Sequence, residues 1–314
     1  MGTTSPLALT CVIIITLEAI IGITITAFII VLICFWYFRG QSISPSNKIV
    51  MALSISNIIF TVISFTNILI LCFRPMAFLN TSNTPSIFSL SMFCITSSSW
   101  LTACLCFFYF MKIKNFSSQF LSRLKMNIST AVPWMILVAE LVSLFTAAMN
   151  MLQFGQSEGY PSTNTSLLLS ANMKSSSGTF PGNLYISFLG SFLPFLISVG
   201  TISSTVWSLK LHSRRMELNK GTTSGSRNIN AYEGPIRIMI HLLFFYGMFY
   251  TILFLFYFNI FLSYSLGFWV FLIIMGSYGL NQSILLIFAN PKLKEVLMNM
   301  LHCRNASAQE ADDL

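Results

Sequence analysis

The chain has 314 residues, of which 55% are hydrophobic and 8% charged, with a formal net charge of +8 at pH 7 and a mean hydropathy of +0.76. This balance excludes a separate soluble domain, because every connection between the apolar stretches is short, or polar and poor in apolar residues. In a soluble protein the positive charge would point to nucleic acid; here it follows from membrane orientation and contact with an anionic leaflet, so no nucleic-acid partner is expected.

Seven apolar stretches follow one another: Leu9–Phe38, Ile49–Phe73, Ile87–Met111, Ile128–Met151, Leu184–Leu209, Ile236–Leu262 and Leu266–Phe288. Each reaches the roughly 20 residues a helix needs to cross a bilayer. The expected fold is therefore an all-α membrane protein, a seven-transmembrane-helix bundle forming one domain over 1–314. The stretch at 290–314 reads as a cytoplasmic tail with a short amphipathic helix. Alternate connections and the tail hold 15 of the 17 Lys and Arg residues, among them Arg39, Lys112, Arg215 and Lys292, leaving Arg74 and Lys174 on the other side. Basic connections face the cytoplasm, which puts the N-terminus outside and the C-terminus inside. The first stretch lacks a basic leader and is too long for a signal sequence, so it reads as a retained helix.

Intramembrane ionisable groups are few: Glu18 in the first span, Glu140 in the fourth and His241 in the sixth. Glu18 shares a helical face with Gly22 and Thr26, and reads as a structural clamp that needs a donor on a neighbouring helix. Glu140 is either a clamp or a proton-sensitive group, and His241 suits packing or coupling. Pro133 and Pro194 should kink the fourth and fifth spans. In the outer halves, Ser91, Met92, Ile95, Ser98 and Ser99 on the third span and Tyr246, Tyr250 and Phe254 on the sixth are spaced to face a common cavity. Apolar walls with a few polar groups suit a small organic ligand, although Ser also serves as a small contact between helices.

Six of the seven cysteines lie inside spans, where thiols pack as small apolar groups, and the outer connection from Gln153 to Asn183 has none. Cys303 reads equally as a palmitoylation site or a free thiol. That outer connection carries Asn164-Thr165-Ser166, an expected glycosylation site, with Asn80 the weaker candidate. Past Lys220 the third inner connection becomes a Gly/Ser/Thr/Asn run, a hinge that lets the sixth helix move. No catalytic motif, metal-ligand spacing or retinal lysine occurs, so no enzyme, cofactor or metal is expected.

Three segments carry a family resemblance. Trp100 to Ser117 looks like the end of the third helix in taste receptor type 2, the bitter receptors. Leu193-Pro194-Phe195, followed by Ser208-Leu209, His212, Arg215 and Met216, is similar to the family's fifth helix. Asn290-Pro291-Lys292-Leu293-Lys294 matches its tail, and Glu18 and Gly22 its first helix. Departures occur at Asn57 for a usual Arg, Thr26 for Asn, Gln282 for His, Gly279 for Pro, Tyr232 for His and Pro235 for Ala. Asn57 and Glu18 then belong to an internal polar network that differs from the common one.

The resemblance implies a G-protein-coupled receptor at the plasma membrane, activated by a small bitter or noxious agonist and signalling to a gustducin-like heterotrimer. It places ligand contacts at Ser91, where members often have Trp, and at Phe268, where some have an acidic contact. Tyr109, Lys112, His212, Arg215 and Arg237 form the expected coupling surface. A vomeronasal type 1 pheromone receptor has a similar layout, but the tail and the fifth-span pattern argue against it. A small-solute transporter or channel is disfavoured by the scarcity of midplane charge.

Overall fold

The structure, a computed structural model, describes residues 6–73, 84–113, 123, 125–157, 182–218, 240, 241, 243–252, 254, 255, 266–290 and 292–300. All of its regular elements are helices: α1 Pro6–Phe38, α2 Pro45–Phe73, α3 Thr84–Ile113, α4 Ile128–Ser157, α5 Gly182–Leu218, α6 Leu243–Ile252, α7 Leu266–Ala289 and α8 at 292–300. Helices are the expected solution, since hydrocarbon offers the backbone no water and each helix satisfies its own N–H and C=O groups. Six are long and apolar enough to cross a membrane. The seventh, α6, lies within the expected sixth span, whose remaining length falls mostly outside the described residues.

Leu17, Val31, Leu141, Phe145 and Trp207 are large, apolar and exposed, as suits side chains that meet lipid rather than water. The buried faces carry small and hydroxyl residues instead. Helix α3 is the most buried span and touches α2, α4 and α5, while α1 packs on α2 and α7. Two glycines permit close approach to α7. A Cβ on Gly22 would lie 3.3 Å from the Leu280 backbone, and one on Gly279 would lie 2.5 Å from Thr61 Oγ1 of α2. Pro133 and Pro194 sit inside α4 and α5, which continue through both.

Helix polarity alternates so that α1, α3, α5 and α7 all finish at one end, where α2 begins. Arg39, Lys112, Lys210, Lys292 and Lys294 are exposed there, which makes it the basic end of the bundle. A core of Ile29, Ile33, Leu53, Leu105, Met111 and Leu286 closes this end and takes in Leu293 of α8. Asn290 follows the end of α7 and caps the start of α8: its Oδ1 accepts from the Lys292 N–H at 3.2 Å. Its Nδ2 donates to Asn47 Oδ1 on α2 at 2.8 Å, tying three elements together.

Candidate functional site

A chain of buried side-chain hydrogen bonds joins α2, α3, α6 and α7 at the centre of the bundle. Ser98 on α3 lies 2.9 Å from Asn57 Oδ1 on α2 and 3.1 Å from Gln282 Oε1 on α7. The Gln282 Nε2 donates to Thr102 Oγ1 at 3.0 Å and to Tyr246 OH at 2.9 Å. Thr102 spends its own proton on the Ser98 carbonyl one turn back, at 2.8 Å. The 2.7 Å contact between Thr102 and Tyr246 is therefore donated by the tyrosine. The links among Thr102, Tyr246 and Gln282 thus have a fixed direction, whereas the one Ser98 proton is shared between Asn57 Oδ1 and Gln282 Oε1, and Tyr246 is where α6 joins the set.

One turn along α6, Tyr250 OH donates to Ser99 Oγ at 2.6 Å. Its ring lies 4.6 Å from that of Phe195 on α5 and 5.8 Å from Phe249. Phe249 in turn sits 4.3 Å from Tyr278 on α7, and Phe60 of α2 meets Tyr278 edge-on at 5.6 Å. Met92, Ile95, Tyr246 and Tyr250 all belong to this aromatic cluster and are buried in it. Four of the expected ligand contacts are thus brought together, as a packed assembly of side chains. Ser91 is half-buried within reach of α2, accepting from Asn67 Nδ2 at 3.4 Å. Phe268 stands apart beside Trp269, against Cys11, Ile15 and Ile68 in a cluster of α1, α2 and α7. Phe254, spaced to share the cavity, is instead exposed.

Glu18 lies in the same region as that last cluster: its Oε2 is 3.2 Å from the position a side chain would take on Gly276 of α7. This oxygen is buried without a hydrogen-bond partner among the described residues, so the donor that a clamp would use is not seen there. Thr26, on the same face, makes a polar link between α1 and α7 through a 2.6 Å contact with Ser283. Asn57 is fully buried and holds the α2 end of the central chain. Glu140 accepts from Ser97 Oγ of α3 at 2.9 Å, which joins α4 to α3.

At the basic end, Tyr109 is half-buried with its hydroxyl 3.5 Å from the Ala289 carbonyl oxygen, and Lys112 is exposed three residues on. His212 and Arg215 occupy the last turns of α5, and their side chains fall outside the described residues, as do Arg237 and Asn164 entirely. His241 is exposed. No group of His, Cys, Asp or Glu among the described residues is arranged to hold a metal. Thr102 and Tyr278 escaped the sequence reading. Thr102 was recoverable, since it follows Ser98 by four residues and shares its face.

Such a bundle, polar at its centre, aromatic toward one end and basic at the other, is that of a multi-pass membrane protein. The chain matches the taste receptor protein (TAS2R) family over residues 3–305, and it belongs to that family. Its members are receptors, not enzymes, and act through small-molecule ligands and G proteins. Among relatives, it is 26% identical over 300 residues to taste receptor type 2 member 40 of Gallus gallus, covering 94% of this chain and 95% of that one. Member 39 of Homo sapiens is 28% identical, with 92% and 86% covered, and member 4 of Pongo pygmaeus 27% identical, with 90% and 93% covered.

Proposed function

We propose that the chain is a plasma-membrane receptor for small bitter or noxious molecules, with its N-terminus outside and its basic end in the cytoplasm, coupled to a gustducin-like heterotrimer. The observation that carries the reading is the pair of tyrosines on α6. Tyr250 faces the aromatic cluster where an agonist would act, and Tyr246, four residues nearer the basic end, anchors α6 to Thr102 and Gln282. An agonist that draws Tyr250 away from Ser99 turns α6, and the same turn strains the Tyr246 link. Ligand binding shifts this equilibrium only by its difference in affinity for the two arrangements, so the contacts must change between them.

Agonist contact falls to Ser91, Met92, Ile95, Tyr246, Tyr250 and Phe268. The cleft opened by α6 would expose Tyr109, Lys112, His212, Arg215 and Arg237 to the G protein. Tyr109 suits this role because its present contact is to the end of α7. The test is calcium signalling to a panel of bitter compounds in cells carrying a gustducin chimera and a surface-quantified receptor. A saturable response absent from mock cells, with potency reduced in Tyr250→Phe at equal surface level, is the expected result. A well-expressed receptor silent to the whole panel, or a Tyr250→Phe variant with unchanged potency, counts against it.

A further inference from the structure

Between α5 and the start of α6, toward the basic end, lies a crevice of about 420 Å³. Its walls are apolar, with Ile202, Val206 and Leu243 among them, and its polar lining includes Ser203 and Lys210. The apolar α5 span ends at Ser208, two residues before Lys210, so this cation lies beyond the apolar stretch, on the side where a bilayer's headgroups would begin. From Ile202 to Lys210 the helix advances about 12 Å. The cavity therefore occupies the half of the bilayer nearest the basic end, with one cation at its rim. Trp207 is exposed beside it, at the depth where indole rings settle at a membrane interface. Lys210 is exposed, and no carboxylate among the described residues pairs with it.

We propose that this crevice binds a single-chain amphiphilic carboxylate, a long-chain fatty acid, with its chain between α5 and α6 and its carboxylate on Lys210. Three features select this occupant. The apolar walls demand a chain, the depth of Lys210 demands a head at the interface, and one lysine matches one negative charge. A cavity of about 420 Å³ has room for a single alkyl chain. Because α6 is the helix whose movement the receptor reading invokes, a chain wedged against Leu243 would bias signalling. That consequence rests on the reading above, whereas binding itself does not.

The experiment uses the full-length receptor in nanodiscs of neutral phosphatidylcholine, with no G protein present, and a palmitate analogue carrying a photoreactive diazirine in its chain. Labelling is mapped by mass spectrometry of proteolytic peptides. The expected result is labelling of peptides from α5 and the first turns of α6, competed by palmitate but not by hexadecanol. Lys210→Gln should weaken apparent affinity about fivefold, the size expected of one lysine at a membrane surface. Lys210→Arg should restore it, and Leu243→Trp should block labelling by filling the cavity. Thermal unfolding of each variant shows that it remains folded. Equal competition by hexadecanol, or undiminished affinity in Lys210→Gln, would overturn the proposal. Competition by phosphatidylserine as effective as by palmitate would overturn the choice of a single-chain carboxylate.

Discussion

Hydroxyl groups in this bundle are satisfied twice over at some positions and bound only to their own helix at others, and that difference sorts packing from coupling. Thr66, Ser143 and Thr201 bond only to carbonyls of their own helix in the described set. Thr102 donates to such a carbonyl and also accepts from Tyr246 and Gln282. Tyr246→Phe removes one donated bond and the acceptor for Gln282 Nε2 while keeping the ring in place. Buried interhelical hydrogen bonds in membranes contribute roughly 0.6 kcal/mol, and up to about 1.7. A loss of about 1 kcal/mol is therefore expected in thermal unfolding, with basal G-protein activation raised several-fold at matched surface level. Unchanged basal activity would mean that Tyr246 holds α6 for stability alone. Glu18 offers a second test, because its Oε2 is buried without a partner among the described residues. Glu18→Gln keeps the shape against Gly276 and removes the charge, so surface expression should hold. Glu18→Ala leaves a gap between α1 and α7 and should lower it. Equal surface levels in immunostained cells would remove Glu18 from the packing of that seam.

At the scale of helices, contact with α7 is set by the absence of side chains. Gly279 takes the place at which family members usually carry Pro, and here the α2 surface comes so close that a methyl group would meet Thr61 Oγ1 at 2.5 Å. Thr61 is held there by its bond to the Asn57 carbonyl at 2.8 Å, so it does not simply swing aside. Gly279→Ala should therefore cost roughly 1–3 kcal/mol, the usual range for overpacking a tight core. The double variant Gly279→Ala/Thr61→Ala should recover much of that loss, because the clashing atom is gone. A non-additive cycle in detergent thermal stability is the expected signature, and simple additivity would show that the two residues do not meet. The pair also illustrates what could be read in advance. Length and hydropathy mark the spans because lipid imposes one requirement on every backbone group. Nothing local in the sequence tells Gly279 from a helix-weakening glycine, since its reason is a residue more than two hundred positions away.

For the whole molecule, the same asymmetry separates what was legible from what was not. Grouping of Met92, Ile95, Tyr246 and Tyr250 followed from spacing along two helices, because a helical face is a property of one sequence window. Placing Phe268 with them required knowing how α7 turns, and its side chain joins Trp269 and Cys11 instead. Ser97 and Glu140 formed a link that neither helix announces alone. Charge is the one global property readable without any contact. Arg39, Lys112, Lys210 and Lys292 come from four separate segments, yet the alternating helices deliver them all to one end. Orientation follows if that end is cytoplasmic, and it carries a consequence for the opposite face. The connection between α4 and α5 leaves from the other end and must then lie outside the cell, which makes Asn164 accessible to the glycosylation machinery and Asn305 inaccessible. Treatment of the expressed receptor with a glycosidase that removes N-linked glycans should increase its mobility on a gel, and Asn164→Gln should abolish most of that increase. An N-terminal tag should be stained on intact cells and a C-terminal tag only after permeabilisation. The reverse staining pattern would invert the molecule and remove the basic end from any contact with a G protein.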